Sequence, residues 1–207
     1  MRLREGHTVE AMRRLIAPLG LLLVVSGGAA VAAGSGSADA ALRQIDAQVR
    51  GLHGLEGQPA PHLQAGISIG GRVPGARELD GKVVLLFFWA SWCPECKAES
   101  SIIAAASEKY RGQGLVLIAP TQRYGFVEDG RQAAPDQELR YIAHVRDTYY
   151  PFLRQVPTPV TDANYKQYGV DSVPTHVLID RKGIIRLYQP GRMTSEELTA
   201  AIQRLLD

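Results

Sequence analysis

From Val83 to Trp89 every position is apolar, and the run is bounded upstream by Asp80-Gly81. Unbroken hydrophobicity of this length predicts a central strand over Lys82–Trp89, buried on both faces. The pattern then changes period. Cys96, Glu99, Ile103 and Ala106 fall on one side of a helix predicted over 93–110, which Gly112-Gln113-Gly114 ends. A second buried strand is expected at Leu115–Ala119, so strand, helix and strand form one right-handed crossover of a parallel sheet.

Beyond it, 120–155 reads as a loop followed by a helix over 137–150, with Leu139, Ile142, Ala143 and Val145 at helical spacing. Its tyrosines Tyr141, Tyr149 and Tyr150 are expected to pack that helix onto the sheet, with contact to a partner as the alternative. Thr158–Asp162 suggests a short strand and 164–168 a helical turn closed by Gly169. Strands follow at Val173–Asp180 and Ile184–Tyr188 around the turn Arg181-Lys182-Gly183, then a helix over 196–206 capped by Ser195. Upstream, Leu63-Gln64-Ala65 and Ile67-Ser68-Ile69 suggest a hairpin. Pro59 and Pro61 give an extended lead-in, and 42–52 has helical spacing.

The first forty residues differ from the rest. Four arginines precede an apolar stretch from Leu15 to Ala33, and Ala30-Val31-Ala32 and a Gly/Ser tail follow. This predicts an export signal or, uncleaved, a membrane anchor. The domains expected are therefore 1–40 (signal or anchor plus linker), 41–56 (stalk or short helix) and 57–207 (the folded domain). Charge adds little: 23 basic residues stand against 21 acidic ones, and no basic patch suggests nucleic acid.

Candidate chemistry lies in Trp92-Cys93-Pro94-Glu95-Cys96, which holds both cysteines of the chain. Two thiols cannot form a disulfide framework or a four-thiolate zinc site. A disulfide between them closes too short a loop to stabilise much. A strand leading into Cys-x-x-Cys is where a redox dithiol is expected, with Cys93 attacking from the surface at a helix N-terminus and Cys96 resolving from inside. A zinc or copper site completed by His176, His144 or His62 is the rival, although no histidine has ligand spacing to the pair.

The runs KVVLLFFWASWCPECKAE (82–99), VPTHVLID (173–180) and GQPAPHL (57–63) resemble thioredoxin-fold proteins, and more closely the exported TlpA/ResA-like thiol–disulfide oxidoreductases. The resemblance covers about 57–207. It implies an α/β thioredoxin-like fold, with a central mixed sheet flanked by helices and preceded by the N-terminal β-hairpin. It also implies catalytic Cys93 and Cys96, and a substrate groove formed by Trp92, Pro94, Glu95, Val173, Pro174 and Thr175, with Pro174 in cis. Glu99 matches a glutamate near the active site of this group. Three residues after Cys96 on the same helix face, it is expected to relay the proton of Cys96.

Two departures stand out. Phe87 occupies the position, six before the first cysteine, where thioredoxins proper carry a buried aspartate. Glu95 places negative charge beside Cys93, which disfavours the thiolate and points toward a reductant. His176 is read as a strand residue facing solvent or the helix layer.

The function expected is an exported reductant of protein disulfides, for example in cytochrome c maturation, periplasmic or anchored to the inner membrane. Its partners would be disulfide-containing proteins and an electron-donating thiol–disulfide protein, with a membrane-embedded donor as one option. No cofactor and no metal are expected. A disulfide oxidase, a peroxide-reducing enzyme (disfavoured by Ala90 three before Cys93) and a non-catalytic metal-binding module are the alternatives.

Overall fold

The computed structural model describes residues 54–207; the expectations for 1–40 and for the 42–52 helix lie outside the described residues. Four strands form the main sheet: β2 (Val83–Phe88), β3 (Leu115–Ile118), β5 (Thr175–Ile179) and β6 (Ile185–Pro190), in the order β3-β2-β5-β6. β2 and β3 run parallel, joined by helix α2 (Pro94–Tyr110), whereas β5 is antiparallel to β2 and β6 to β5. All six residues of β2 are buried, as the unbroken apolar run predicts. No helix among the described residues is long and apolar enough to cross a membrane.

Two cores sandwich the sheet. On one face Val83, Leu85, Phe87 and Trp89 pack with Cys96, Ile103 and Tyr110 of α2 and with Leu198 and Ile202 of α5 (Ser195–Leu206). On the other, Val84, Leu86 and Phe88 meet Tyr165 of α4 (Asp162–Gln167), with Tyr168 and Tyr188. Period-two alternation along β2 sorts its side chains between these cores.

Several elements depart from expectation. No hairpin forms at 63–69. Ile67–Ile69 is indeed a strand, β1, but it pairs antiparallel with the distant β4 (Thr158–Val160). The ribbon joins the main fold beyond the end of β3, where Ala119 N–H donates to Pro157 O and Thr121 N–H to Pro159 O. A three-residue strand carries too little pattern to specify its partner. A four-residue helix, α1 (Ala76–Leu79), has no counterpart among the expected elements.

The helix expected at 137–150 is α3 (Pro135–Tyr149), with Pro135 at its first turn. Its tyrosines divide: Tyr150, just past its end, is fully buried, whereas Tyr149 is exposed. Helix α5 is capped by Thr194 rather than Ser195. The Thr194 hydroxyl accepts from Glu197 N–H, and the Glu197 carboxylate accepts from Thr194 N–H. The reciprocal pair satisfies two end groups at once and fixes the helix start. The extended lead-in does form: Gly57 N–H donates to Ile185 O and Ala60 N–H to Gly183 O along the β6 edge.

Candidate active site

Strand β2 delivers the chain to the cysteine pair through a rigid anchor. Trp89 is fully buried; its indole N–H donates to Ala119 O, and its carbonyl accepts from both the Thr121 and Tyr165 hydroxyls. The turn that follows closes with Cys93 N–H donating to Ala90 O. Cys93 is then the N-cap of α2, with Pro94 at the first helical position, where a missing N–H costs nothing.

Cys93 and Cys96 are joined in a disulfide with Cα atoms 5.3 Å apart. The Cys96 N–H donates to Cys93 Sγ at 3.0 Å. In a dithiol form this donor and the helix dipole both favour a thiolate at Cys93. The expectation of a surface-exposed Cys93 is corrected: it is only 2% exposed, against 0% for Cys96. The cover is the loop before β5, whose Val173 carbonyl oxygen lies 3.6 Å from Cys93 Sγ. The Val173–Pro174 peptide is cis. Pro174 and Thr175 are buried, and the Thr175 hydroxyl donates to Ser172 O at 2.8 Å, fixing the loop.

Around the pair, Trp92 is 45% exposed and meets Tyr124 edge-on, with ring centroids 5.4 Å apart. Tyr124 in turn approaches Phe126. Tyr124 and Phe126 belong to the 120–155 segment, whose loop is pinned by a residue that sequence reasoning missed. Glu138, buried on α3, accepts from the backbone N–H groups of Tyr124 and Gly125. Burial raises the Tyr124 hydroxyl above its ordinary pKa, so it stays neutral. Lys97 Nζ sits 4.3 Å over the exposed Tyr149 ring, a cation–π contact. Pro94 and Glu95 are exposed. Glu95 does not stand as a free charge beside Cys93, because its Oε2 lies 3.3 Å from Arg192 Nη1.

Beneath the disulfide the site is polar and closed. Glu99 is fully buried, and its Oε1 accepts from Met193 N–H at 2.7 Å. Its other oxygen, Oε2, lies 3.2 Å from His176 Nε2, within ion-pair reach but off the line a hydrogen bond needs. The expectation that His176 could face solvent is corrected: it is fully buried. A strand covered on both faces has no solvent side. His176 stands opposite Phe87 in the β2–β5 register, with rings 5.6 Å apart. Tyr150 lies close enough for the Glu99 charge to add to the effect of burial, and its hydroxyl pKa is pushed well up.

The turn between β6 and α5 ties these parts together. Gly191, at φ 81°, donates its N–H to Pro174 O at 2.8 Å. Arg192 reaches Glu95 and Met193 reaches Glu99. The left-handed backbone at Gly191 is one that a residue with a Cβ rarely adopts. Of the rival metal ligands, His144 lies on α3 and His62 in the lead-in, away from the pair. Among the described residues no group of three His, Cys, Asp or Glu side chains is placed to hold a metal ion.

A buried Cys-x-x-Cys disulfide capping a helix, beside a cis-proline loop on a mixed sheet, defines a class of redox protein. The chain belongs to the thioredoxin-like domain family, whose model matches residues 76–206. It is a thiol–disulfide oxidoreductase, as its relatives are named. The thioredoxin-like protein YneN of Bacillus subtilis is 29% identical over 143 residues, covering 69% of this chain and 76% of its own. The thiol-disulfide oxidoreductase ResA of Bacillus subtilis is 28% identical over 139 residues, covering 67% of this chain and 69% of its own. Among solved structures, the thioredoxin domain of a thiol-disulfide oxidoreductase from Bacteroides vulgatus superposes with a TM-score of 0.54 at 16% identity, covering 73% of this chain and 98% of its own. That likeness speaks to the fold alone.

Proposed function

We propose that this protein is an exported reductant of protein disulfides, acting on disulfide-containing proteins such as c-type cytochrome precursors. Cys93 attacks the substrate disulfide, and Cys96 resolves the mixed disulfide. Glu99 accepts the proton of Cys96, and the Val173-Pro174-Thr175 loop with Trp92, Pro94 and Glu95 forms the docking groove. The observation that carries this reading is the fully buried Glu99 carboxylate on the same helix face as Cys96.

A dithiol is a strong oxidant when its reduced, thiolate-bearing form is stabilised. Negative charge beside the pair opposes that form and favours the disulfide, which is the behaviour of a reductant. The exposed Glu95 carboxylate works in this direction, partly offset by Arg192 at 3.3 Å. The basic head and apolar stretch of 1–40 support export, as a cleaved signal or an anchor. An oxidising compartment would hold the pair as a disulfide, so turnover needs an electron-donating thiol–disulfide protein, with a membrane-embedded donor suited to that topology.

Two measurements test this. The reduction potential of the Cys93–Cys96 couple is expected near that of thioredoxin, about −270 mV; a value near about −120 mV would make the protein an oxidase. Cys93→Ser is expected to abolish disulfide reduction, and full activity in that variant would sink the proposal.

A further inference from the structure

Six buried side-chain atoms of the described residues have no hydrogen-bond partner, and three of them sit together under the disulfide: Glu99 Oε2, His176 Nδ1 and His176 Nε2. A buried polar group left without a partner destabilises the fold unless it is put to use. Both residues are fully buried, and Oε2 and Nε2 are 3.2 Å apart. At this separation a small rotation of the imidazole would bring the two atoms into line, so that one proton could bridge them. The group is also where thioredoxins of the usual pattern differ: Phe87, directly across the sheet from His176, offers no carboxylate.

We propose that His176 is a positioning residue for the exchange reaction, and that the Glu99–His176 pair, rather than Glu99 alone, takes up the proton of Cys96. This rests on Glu99 acting as the base toward Cys96. In the mixed disulfide, the Cys96 thiol gives its proton to Glu99 Oε2, where His176 Nε2 shares it. The Cys96 thiolate then attacks Cys93 Sγ. The Cys93–Cys96 bond forms, the bond from Cys93 to the substrate sulfur breaks, and that sulfur leaves as a thiolate. The cysteine pair is oxidised by two electrons, and the substrate disulfide is reduced by the same two.

The groups around the pair come from four elements. On α2 Cys96 stands one turn before Glu99, and from the segment after α3 comes the Tyr150 hydroxyl, which burial keeps neutral. From the turn before α5 the pair meets the Met193 N–H, and from β2 the apolar Phe87 ring.

The reaction can be followed by treating the reduced full-length protein with the aromatic disulfide 5,5′-dithiobis(2-nitrobenzoate). The first thiolate released reads attack by Cys93, and the second reads resolution by Cys96. In His176→Leu the second release is expected to slow about tenfold and to lose one ionisation from its pH profile. The first release should be unchanged. Glu99→Gln should slow the second release as well, and the double variant should be no slower than Glu99→Gln.

An unaltered second-release profile in His176→Leu, or additive losses in the double variant, overturns the inference while leaving Glu99 as the base. An unaltered profile in Glu99→Gln instead removes the reading on which it rests, and the inference with it. A measurement on the unmutated protein keeps the question decidable if the leucine variant does not fold. The ¹⁵N shifts of the His176 imidazole should differ between the disulfide and dithiol forms, and identical shifts overturn the inference.

Discussion

The two faces of the central sheet solve the burial of polar groups in opposite ways. Behind Val84, Leu86 and Phe88, the Tyr165 hydroxyl donates to Trp89 O, that of Tyr168 to Pro61 O and that of Tyr188 to Gly169 O. Each ring supplies apolar area while its polar tip ties a loop to the core. Behind Phe87 and Trp89, by contrast, Tyr110 and Tyr150 bury hydroxyls that find no partner, as do Glu99 Oε2 and both ring nitrogens of His176. The same strand separates a face whose tyrosine hydroxyls are all bonded from one whose buried polar groups are left open. Buried polar groups left unsatisfied gather where protons must move, because a group already holding its best partner has little reason to exchange one.

The comparison can be broken at several strengths. Phe88→Ala, on the satisfied face, should cost about 3–5 kcal/mol in chemical denaturation while leaving the exchange rate of the folded protein intact. A matching loss of rate would show that the faces are not separable.

Replacing both Glu99 and His176 with leucine should act the other way. Burying apolar groups in place of a poorly paired polar couple stabilises the fold by about 1–3 kcal/mol net of the lost Met193 bond. Turnover with a protein disulfide should fall, and a destabilised double variant would contradict the reading of this face.

Smaller still, Tyr168→Phe should cost about 1 kcal/mol by removing a bonded hydroxyl, whereas Tyr150→Phe should be neutral or mildly stabilising. Equal effects, read from unfolding midpoints, would erase the distinction.

The smallest effect lies outside both cores. The Arg72 guanidinium and the Gly75 N–H bond the exposed Glu78 and hold its carboxyl at about 2. Because the folded value is depressed, its modest contribution is present above the ordinary carboxylate range and is lost as pH falls toward about 2. Carbon NMR of Glu78 should show a midpoint near that value, rising in Arg72→Ala.

Much of this architecture is legible in the amino-acid sequence. The β2 run, the helix after it and the cysteine pair that joins them each show in a local pattern of one period. The β1–β4 pairing is not legible, because it joins three-residue strands some ninety positions apart and neither carries a face pattern that selects the other. Thr194 is legible, and the choice of Ser195 overlooks it: Thr194-x-x-Glu197 has the reciprocal capping spacing, whereas three residues after Ser195 stands Leu198. The burial of His176 also has a signal, since the apolar run Val177-Leu178-Ile179 follows it directly in the expected strand Val173–Asp180. The covered position of Cys93 has none, because it depends on a loop eighty residues downstream.

The Gly191–Thr194 turn has a practical consequence for protein engineering. Through three successive residues it touches the cis-proline loop, the outer carboxylate and the inner one. A transplant of the Trp92–Glu99 segment into another scaffold would therefore arrive with Glu95 unpaired and the Glu99 carboxylate without its backbone donor. The portable unit of this chemistry is discontinuous, and the helix that bears the cysteines has to travel with the four residues that precede the last one.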